Sequence, residues 1–172
     1  MVSSLDGFIA KKDNDISWMH SSDHYDKGIV PTKEFISEFL KTIDCYVMGS
    51  KTYEHALELG WVYGDTKVIV LTKRNLKSEI PTVEFYSDDL NKLVNKNLKP
   101  NHKNIWVVGG AMVTKQFIRL KLADEIRVSF MPMILGDGLL FFDYIGKENR
   151  LHLLNVTTYK DGMVELHYEL NK

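Results

Sequence analysis

The sequence predicts an α/β fold: a mixed sheet, parallel in its middle, with helices on both faces and an antiparallel hairpin at its C-terminal end. Three observations predict it. Short continuous apolar runs alternate with segments of helical spacing between residues 32 and 120, the pattern of parallel strands covered on both sides. In the last third the apolar residues alternate one in two, as on strands with one wet face. Asp161-Gly162 separates two such runs, and glycine tolerates the positive φ that a tight hairpin turn needs.

The elements follow in order. Phe35, Ile36, Phe39, Leu40 and Ile43 recur at helical spacing behind Thr32, a residue type that caps helices. Cys45-Tyr46-Val47-Met48 is a buried strand ending at Gly49, and Ser50 to Leu59 suits a helix closed by Gly60. Lys67 to Leu71 is a second apolar strand and Val83 to Tyr86 a short third. Ser87 is placed to cap a helix carrying Leu90, Leu93, Val94 and Leu98. Ile105-Trp106-Val107-Val108 is another continuous strand, and Gly109-Gly110 leads into a helix bearing Val113, Phe117 and Leu120. Ile126, Val128 and Phe130 then alternate with polar residues, and Leu151–Tyr159 pairs antiparallel with Met163–Leu170.

The chain has 172 residues, 44% of them hydrophobic and 26% charged, which suits one globular domain over residues 1–172. Its 22 basic and 23 acidic residues argue against a nucleic-acid or membrane-surface binder, which carries a basic excess. A lone Cys45 cannot close an internal disulfide; it fits a reducing compartment and, in mid-strand, a packing role. No apolar run has the length of a membrane span, and no signal peptide opens the chain. The expectation is a soluble, cytoplasmic protein.

Three junctions carry the chemistry. Gly49-Ser50-Lys51-Thr52 turns a strand into a helix whose first N–H groups and dipole suit phosphate; the plain alternative is an N-cap. Leu71-Thr72-Lys73-Arg74 sets a hydroxyl and two cations beyond a buried strand, where open α/β sheets bind ligands; the plain alternative is a solvated loop. Gly109-Gly110-Ala111 lets backbone approach a diphosphate, although it is neither G-x-G-x-x-G nor a P-loop. Three such junctions at strand ends outweigh any one of them. His20 and His24 lack the glutamate of H-E-x-x-H, and Asp13, Asp15 and Ser17 begin a calcium loop that Trp18 and His24 then break, so no metal site is expected. Trp18 and Trp61, beside turns, can line a cleft or pack in the core.

These residues resemble the dihydrofolate reductase superfamily, in the branch of the reductase domain at the C-terminus of riboflavin-biosynthesis deaminase-reductases. The resemblance rests on Ser4-Leu5-Asp6-Gly7-Phe8-Ile9-Ala10, Val47-Met48-Gly49-Ser50-Lys51-Thr52-Tyr53-Glu54, Val68 to Thr72, Val107 to Ala111, and Leu135-Gly136-Asp137-Gly138 with Leu140-Phe141-Phe142. It implies a dihydrofolate reductase-like fold, NADPH, and hydride transfer to a C=N bond of a pterin or a ribosylamino-pyrimidine. By motif, Gly49, Ser50, Lys51 and Thr52 would hold the adenine-side phosphates. Leu71, Thr72, Lys73 and Arg74 would meet the adenosine and its 2′-phosphate, and Gly109, Gly110, Ala111, Met112, Val113 and Thr114 the diphosphate and nicotinamide ribose. Ile9 and Ala10 would pack on the nicotinamide; Asp6 and Glu34 are the catalytic candidates; Ser4, Trp18 and Tyr53 lie on the substrate side.

Some residues depart from the family pattern. Ser50 stands where an arginine is usual, so the 2′-phosphate leans on Lys51, Lys73 and Arg74; Ala111 replaces a third glycine. Of the strand that precedes S-L-D-G in the family only Met1 and Val2 are present, as in a chain whose start is misassigned or cut short. No zinc-deaminase motif is present, so this chain would not run both riboflavin steps. The resemblance also implies a homodimer. Two other readings stay open: a dihydrofolate reductase, and a nucleotide-binding protein without turnover.

Overall fold

The computed structural model describes residues 1–171. In chain order the elements are β1 (Val2–Ser4), β2 (Phe8–Ala10), α1 (Lys33–Lys41), β3 (Cys45–Gly49), α2 (Ser50–Glu58), β4 (Lys67–Leu71), β5 (Val83–Tyr86), α3 (Leu90–Lys92), β6 (Ile105–Gly109), α4 (Ala111–Arg119), β7 (Glu125–Met131), β8 (Leu139–Leu140), β9 (Leu151–Thr158) and β10 (Val164–Leu170). They form two compact units, Lys33–Gln116 in one, and Met1–Thr32 with the chain from Phe117 onward in the other.

The Lys33–Gln116 unit is built on a parallel four-stranded sheet of order β5-β4-β3-β6. The chain steps outward from β3 to β5 and then returns past β3 to β6. Because parallel crossovers are right-handed, this reversal puts α2 on one face and the Leu90–Leu98 helix on the other. Side-chain parity agrees. Tyr46, Met48, Val68 and Val70 pack with Tyr53 of α2 in one buried cluster, against which Trp61, Tyr63, Phe85 and Trp106 are laid. On the opposite face Ile69 shares a hollow with Leu93 and Leu98. Such a sheet, apolar on both faces, needs the continuous hydrophobic strands the sequence has.

The helix before β6 departs from expectation. Asp89, not Ser87, is its cap: the Asp89 carboxylate accepts from Lys92 N at 2.7 Å. After one α-turn the backbone widens to π geometry over Leu93–Leu98, with Lys99 N donating to Val94 O. Apolar residues at 90, 93, 94 and 98 satisfy either winding, so spacing could not separate the two. At the amino end of the sheet, Asp44 accepts from the amides of Lys103 (2.9 Å) and Asn104 (3.2 Å), and Asn104 donates to Thr42 O, stitching the entries of β3 and β6 together.

The other unit holds a mixed sheet of order β1-β7-β10-β9 and the two-stranded β2-β8 ribbon. The three-residue β1 pairs parallel with β7, while β7, β10 and β9 run antiparallel through the expected hairpin. A register shift between His167 and Tyr168 leaves Leu154 unpaired in the ladder. Leu151, Leu153, Val156, Leu166, Tyr168, Ile126 and Val128 then share one apolar face, and Glu125, Arg127, His167 and Asn155 the polar one. Val128 is buried, but along the edge strand Leu151, Leu153, Leu154 and Val156 are 43–48% exposed. The segment from Tyr25 to Ile29 lies on the hairpin turn, with Ile29 N donating to Thr158 O and Lys160 N to Ile29 O, both at 2.9 Å. No helix among the described residues is long and apolar enough to cross a membrane.

Candidate functional site

All four strands of the parallel sheet point one way, so β3, β4 and β6 end side by side. Gly49 stands opposite Leu71, and Met48 opposite Gly109. After β3, α2 begins at once with Gly49 as N-cap and no side chain capping it. The first-turn amides of Ser50, Lys51 and Thr52 and the positive end of the helix dipole therefore face the edge. A Cβ on Gly49 would come within 3.3 Å of Val113 Cγ2, so glycine lets the start of α4 approach.

After β6, Gly109 has φ 117°, a left-handed conformation that favours glycine, and the Gly109–Gly110 peptide is cis. The Gly110 carbonyl accepts from Val113 N (3.0 Å) and Thr114 N (3.1 Å), opening α4 at Ala111. A Cβ on Gly110 would meet Thr52 Oγ1 at 3.7 Å, which makes Thr52 and Gly110 neighbours across the edge. Ala111 and Val113 are buried, whereas Met112 is 65% exposed.

After β4 the loop is folded by its own hydroxyl. Thr72 N donates to Tyr86 O at 2.9 Å, and Thr72 Oγ1 accepts from Arg74 N at 3.0 Å. Leu71 is half-buried and Lys73 is exposed. The Arg74 guanidinium is taken up by Glu54 in a two-pronged ion pair, Nη1 to Oε2 at 3.0 Å and Nη2 to Oε1 at 2.7 Å. That bond holds the Glu54 carboxyl below its usual range and raises Arg74. Glu54 was not singled out in the sequence. Its signal was its place four residues after Ser50, on the same face of α2.

In the other unit, Ser4 is fully buried; its hydroxyl donates to Asp6 Oδ1 at 2.6 Å and accepts from Phe8 N at 2.9 Å. The same carboxylate accepts from Leu135 N (3.1 Å) and Gly136 N (2.7 Å). The Ser4 hydroxyl, ahead of the two amides, holds Asp6 below the ordinary carboxylate range. Ile9 and Ala10 are buried in β2. Trp18, 5% exposed, lines a pocket of about 500 Å³ with His20, Ser21, Ser22, Asp23, Met131, Pro132 and Met133. Its indole Nε1 is buried with no hydrogen-bond partner among the described residues.

Tyr53 and Glu34 belong to the Lys33–Gln116 unit. Tyr53, expected on the substrate side, is 4% exposed in the aromatic core of its unit, its ring against Phe85 and Trp61 and its hydroxyl donating to Ser78 Oγ at 3.0 Å. Glu34 is exposed in the first turn of α1. Asp13, Asp15 and Ser17 form a hydrogen-bonded turn, with Asp15 also paired to Lys11. Among the described residues no group of three or more acidic, histidine or cysteine side chains could hold a metal ion.

The glycine-opened edge fits a nucleotide diphosphate: backbone donors and cations are present, and Gly110 puts no side chain over the edge. The fold is shared with a Shewanella sp. PV-4 protein named for riboflavin biosynthesis, at a TM-score of 0.84 and 20% identity, covering 100% of this chain and 97% of that one. It is also shared with the diaminohydroxyphosphoribosylaminopyrimidine deaminase/5-amino-6-(5-phosphoribosylamino)uracil reductase of Thermotoga maritima, at a TM-score of 0.67 and 18% identity, over 99% of this chain and 55% of that one. The protein is thus of the dihydrofolate reductase-like α/β class, with the reductase-like fold of riboflavin-pathway proteins. It belongs to the RibD C-terminal domain family, which matches residues 1–165. Bacillus subtilis (strain 168) YwjB is 30% identical over 168 residues, covering 96% of this chain and 92% of that protein.

Proposed function

We propose that the chain is a cytoplasmic, NADPH-dependent reductase that delivers a hydride to a C=N bond of a small heterocycle or a ribosylamino-pyrimidine. The observation that carries this is the shared edge of β3, β4 and β6, where two glycine-opened helix starts and the Thr72–Arg74 loop meet. Reduced nicotinamide, when bound, supplies the hydride. The Ser50–Thr52 amides with Lys51 hold the adenine-side phosphates, Lys73 and Arg74 take the 2′-phosphate, and Gly109 to Thr114 follow the diphosphate and ribose. Family membership keeps Ile9 and Ala10 assigned to the nicotinamide.

Asp6 is ionised at neutral pH and already accepts three hydrogen bonds, so it positions the turn into β2 rather than giving up a proton. The hydroxyl, imidazole and carboxylate groups beside Trp18 suit a ring that presents both donors and acceptors. Glu34, exposed on α1, remains the catalytic candidate. A homodimer is the assembly this reading includes, and the uncovered apolar edge at β9 supports it.

The test is a thermal-shift titration with NADPH and NADH in parallel, on the wild type and on a Lys73→Glu, Arg74→Glu double variant. Ligand at about 100 times its Kd stabilises by roughly 2.7 kcal/mol, a rise of about 5–10 °C for a domain of this size. NADPH should shift the wild type at far lower concentration than NADH, and the double variant should lose most of that preference. No shift with either dinucleotide overturns the reading.

A further inference from the structure

We propose that Glu54 sets how strongly this protein prefers NADPH to NADH, by competing with the 2′-phosphate for Arg74. The proposal rests on the reading that Lys73 and Arg74 meet that phosphate. Nucleotide sites usually present an acid to the ribose 2′-hydroxyl or an arginine to the 2′-phosphate. Here both are present, and they are bonded to each other.

The geometry defines the competition. Glu54 takes one hydrogen from each Nη of Arg74, at 3.0 and 2.7 Å, so the end of the guanidinium is filled. Its side, with Nε–H and the outer Nη hydrogens, stays open to a second acceptor. A phosphate accepting there lies on the order of 6 Å from the Glu54 carboxylate, and the salt-screened repulsion across that gap amounts to roughly 3- to 10-fold in affinity. Pre-ordering an exposed arginine through one ion pair is the smaller effect, since both side chains are about half exposed, at 54% and 40%. Lys73, next to Arg74, makes no ion pair among the described residues, so no carboxylate opposes its charge. Glu54 can also accept from the 2′-hydroxyl of NADH, which narrows the preference from the other side.

The experiment is calorimetric titration of NADPH, NADH and adenosine 2′,5′-bisphosphate into wild type, Glu54→Gln and Glu58→Gln. Glu58 lies one turn further along α2, beside His55, and its substitution removes the same charge away from Arg74. Glu54→Gln should tighten NADPH and the bisphosphate roughly 3- to 10-fold while NADH stays the same or weakens, and Glu58→Gln should move none of them. An unchanged or weaker NADPH affinity in Glu54→Gln, or an equal gain in Glu58→Gln, overturns the proposal while the NADPH reading stands. A wild type that binds none of the three ligands overturns both. Glu54→Ala carries the same expectation where the glutamine variant does not fold.

Discussion

Ser4 and Asp6 are joined by a 2.6 Å hydrogen bond, and through it a fully buried hydroxyl fixes a carboxylate that reaches the amides of Leu135 and Gly136, 129 and 130 positions further on. Each partner needs the other. The hydroxyl turns the carboxylate toward the loop, and the carboxylate gives the buried hydroxyl an acceptor while Phe8 N gives it a donor.

Asp6→Asn keeps the shape but replaces one charged acceptor oxygen with a donor. Amide exchange at Leu135 and Gly136 should accelerate in this variant, read by hydrogen exchange against amides of β9 as internal reference. Because folding lowers the Asp6 pKa, its contribution is complete above the ordinary value of 3.8 and is lost as pH falls through the lower folded value. Wild-type protection at these two amides should therefore hold at neutral pH and decay only in acid. Equal exchange in wild type and variant would remove Asp6 from this role.

Gly28 and Gly7 separate two reasons for glycine. A Cβ at Gly28 would lie 2.3–2.5 Å from backbone atoms of Tyr159 and Lys160, whereas one at Gly7 would meet nothing within 4 Å and costs only its φ of +89°. Gly28→Ala must lift the 25–29 segment off the hairpin and should cost about 2–3 kcal/mol in chemical denaturation, against about 1 kcal/mol for Gly7→Ala. The reverse order would contradict the close approach.

Cys45 is fully buried, and desolvation pushes its thiol up to about 11. It should resist Ellman's reagent in the native protein at pH 8 and react completely in guanidinium. Fast native labelling would mean that the parallel sheet opens locally.

Leu153→Asp with Val156→Asp places two charges on the uncovered apolar edge. Light scattering should give the wild type twice the chain mass and the double variant the single mass, with little change in its unfolding midpoint, since both residues are 48% exposed. A wild type that runs as a monomer would end the homodimer reading.

The strand ends were legible in the sequence because their causes are local. A continuous apolar run stopped by glycine states both burial and exit, and it states them correctly at Gly49 and Gly109. What escaped depended on residues distant in sequence. Arg74 reads as a free cation until Glu54, 20 residues earlier, is brought against it. Tyr53 follows a cationic helix start, so its neighbours imply exposure, yet the turn of α2 carries it into the aromatic core. Trp18 sits among polar loop residues that do not separate cleft lining from core packing, and it is buried while lining a pocket. Ser3 and Ser4 are 0% exposed despite their polarity because nearby backbone and Asp6 satisfy them.

Asp44 ties the entries of β3 and β6 at the end of the sheet away from the glycines. It acts like the clamped end of a tuning fork: with one end held, the loops beyond the other can lengthen, shorten or change charge without detuning the strands. A lineage that altered its ligand could therefore rewrite the stretch after Thr72, where a single hydroxyl folds the loop, and leave Thr42 to Cys45 untouched. Change at the β4 exit thus leaves the Asp44 ties in place, whereas change at Asp44 or Asn104 removes them.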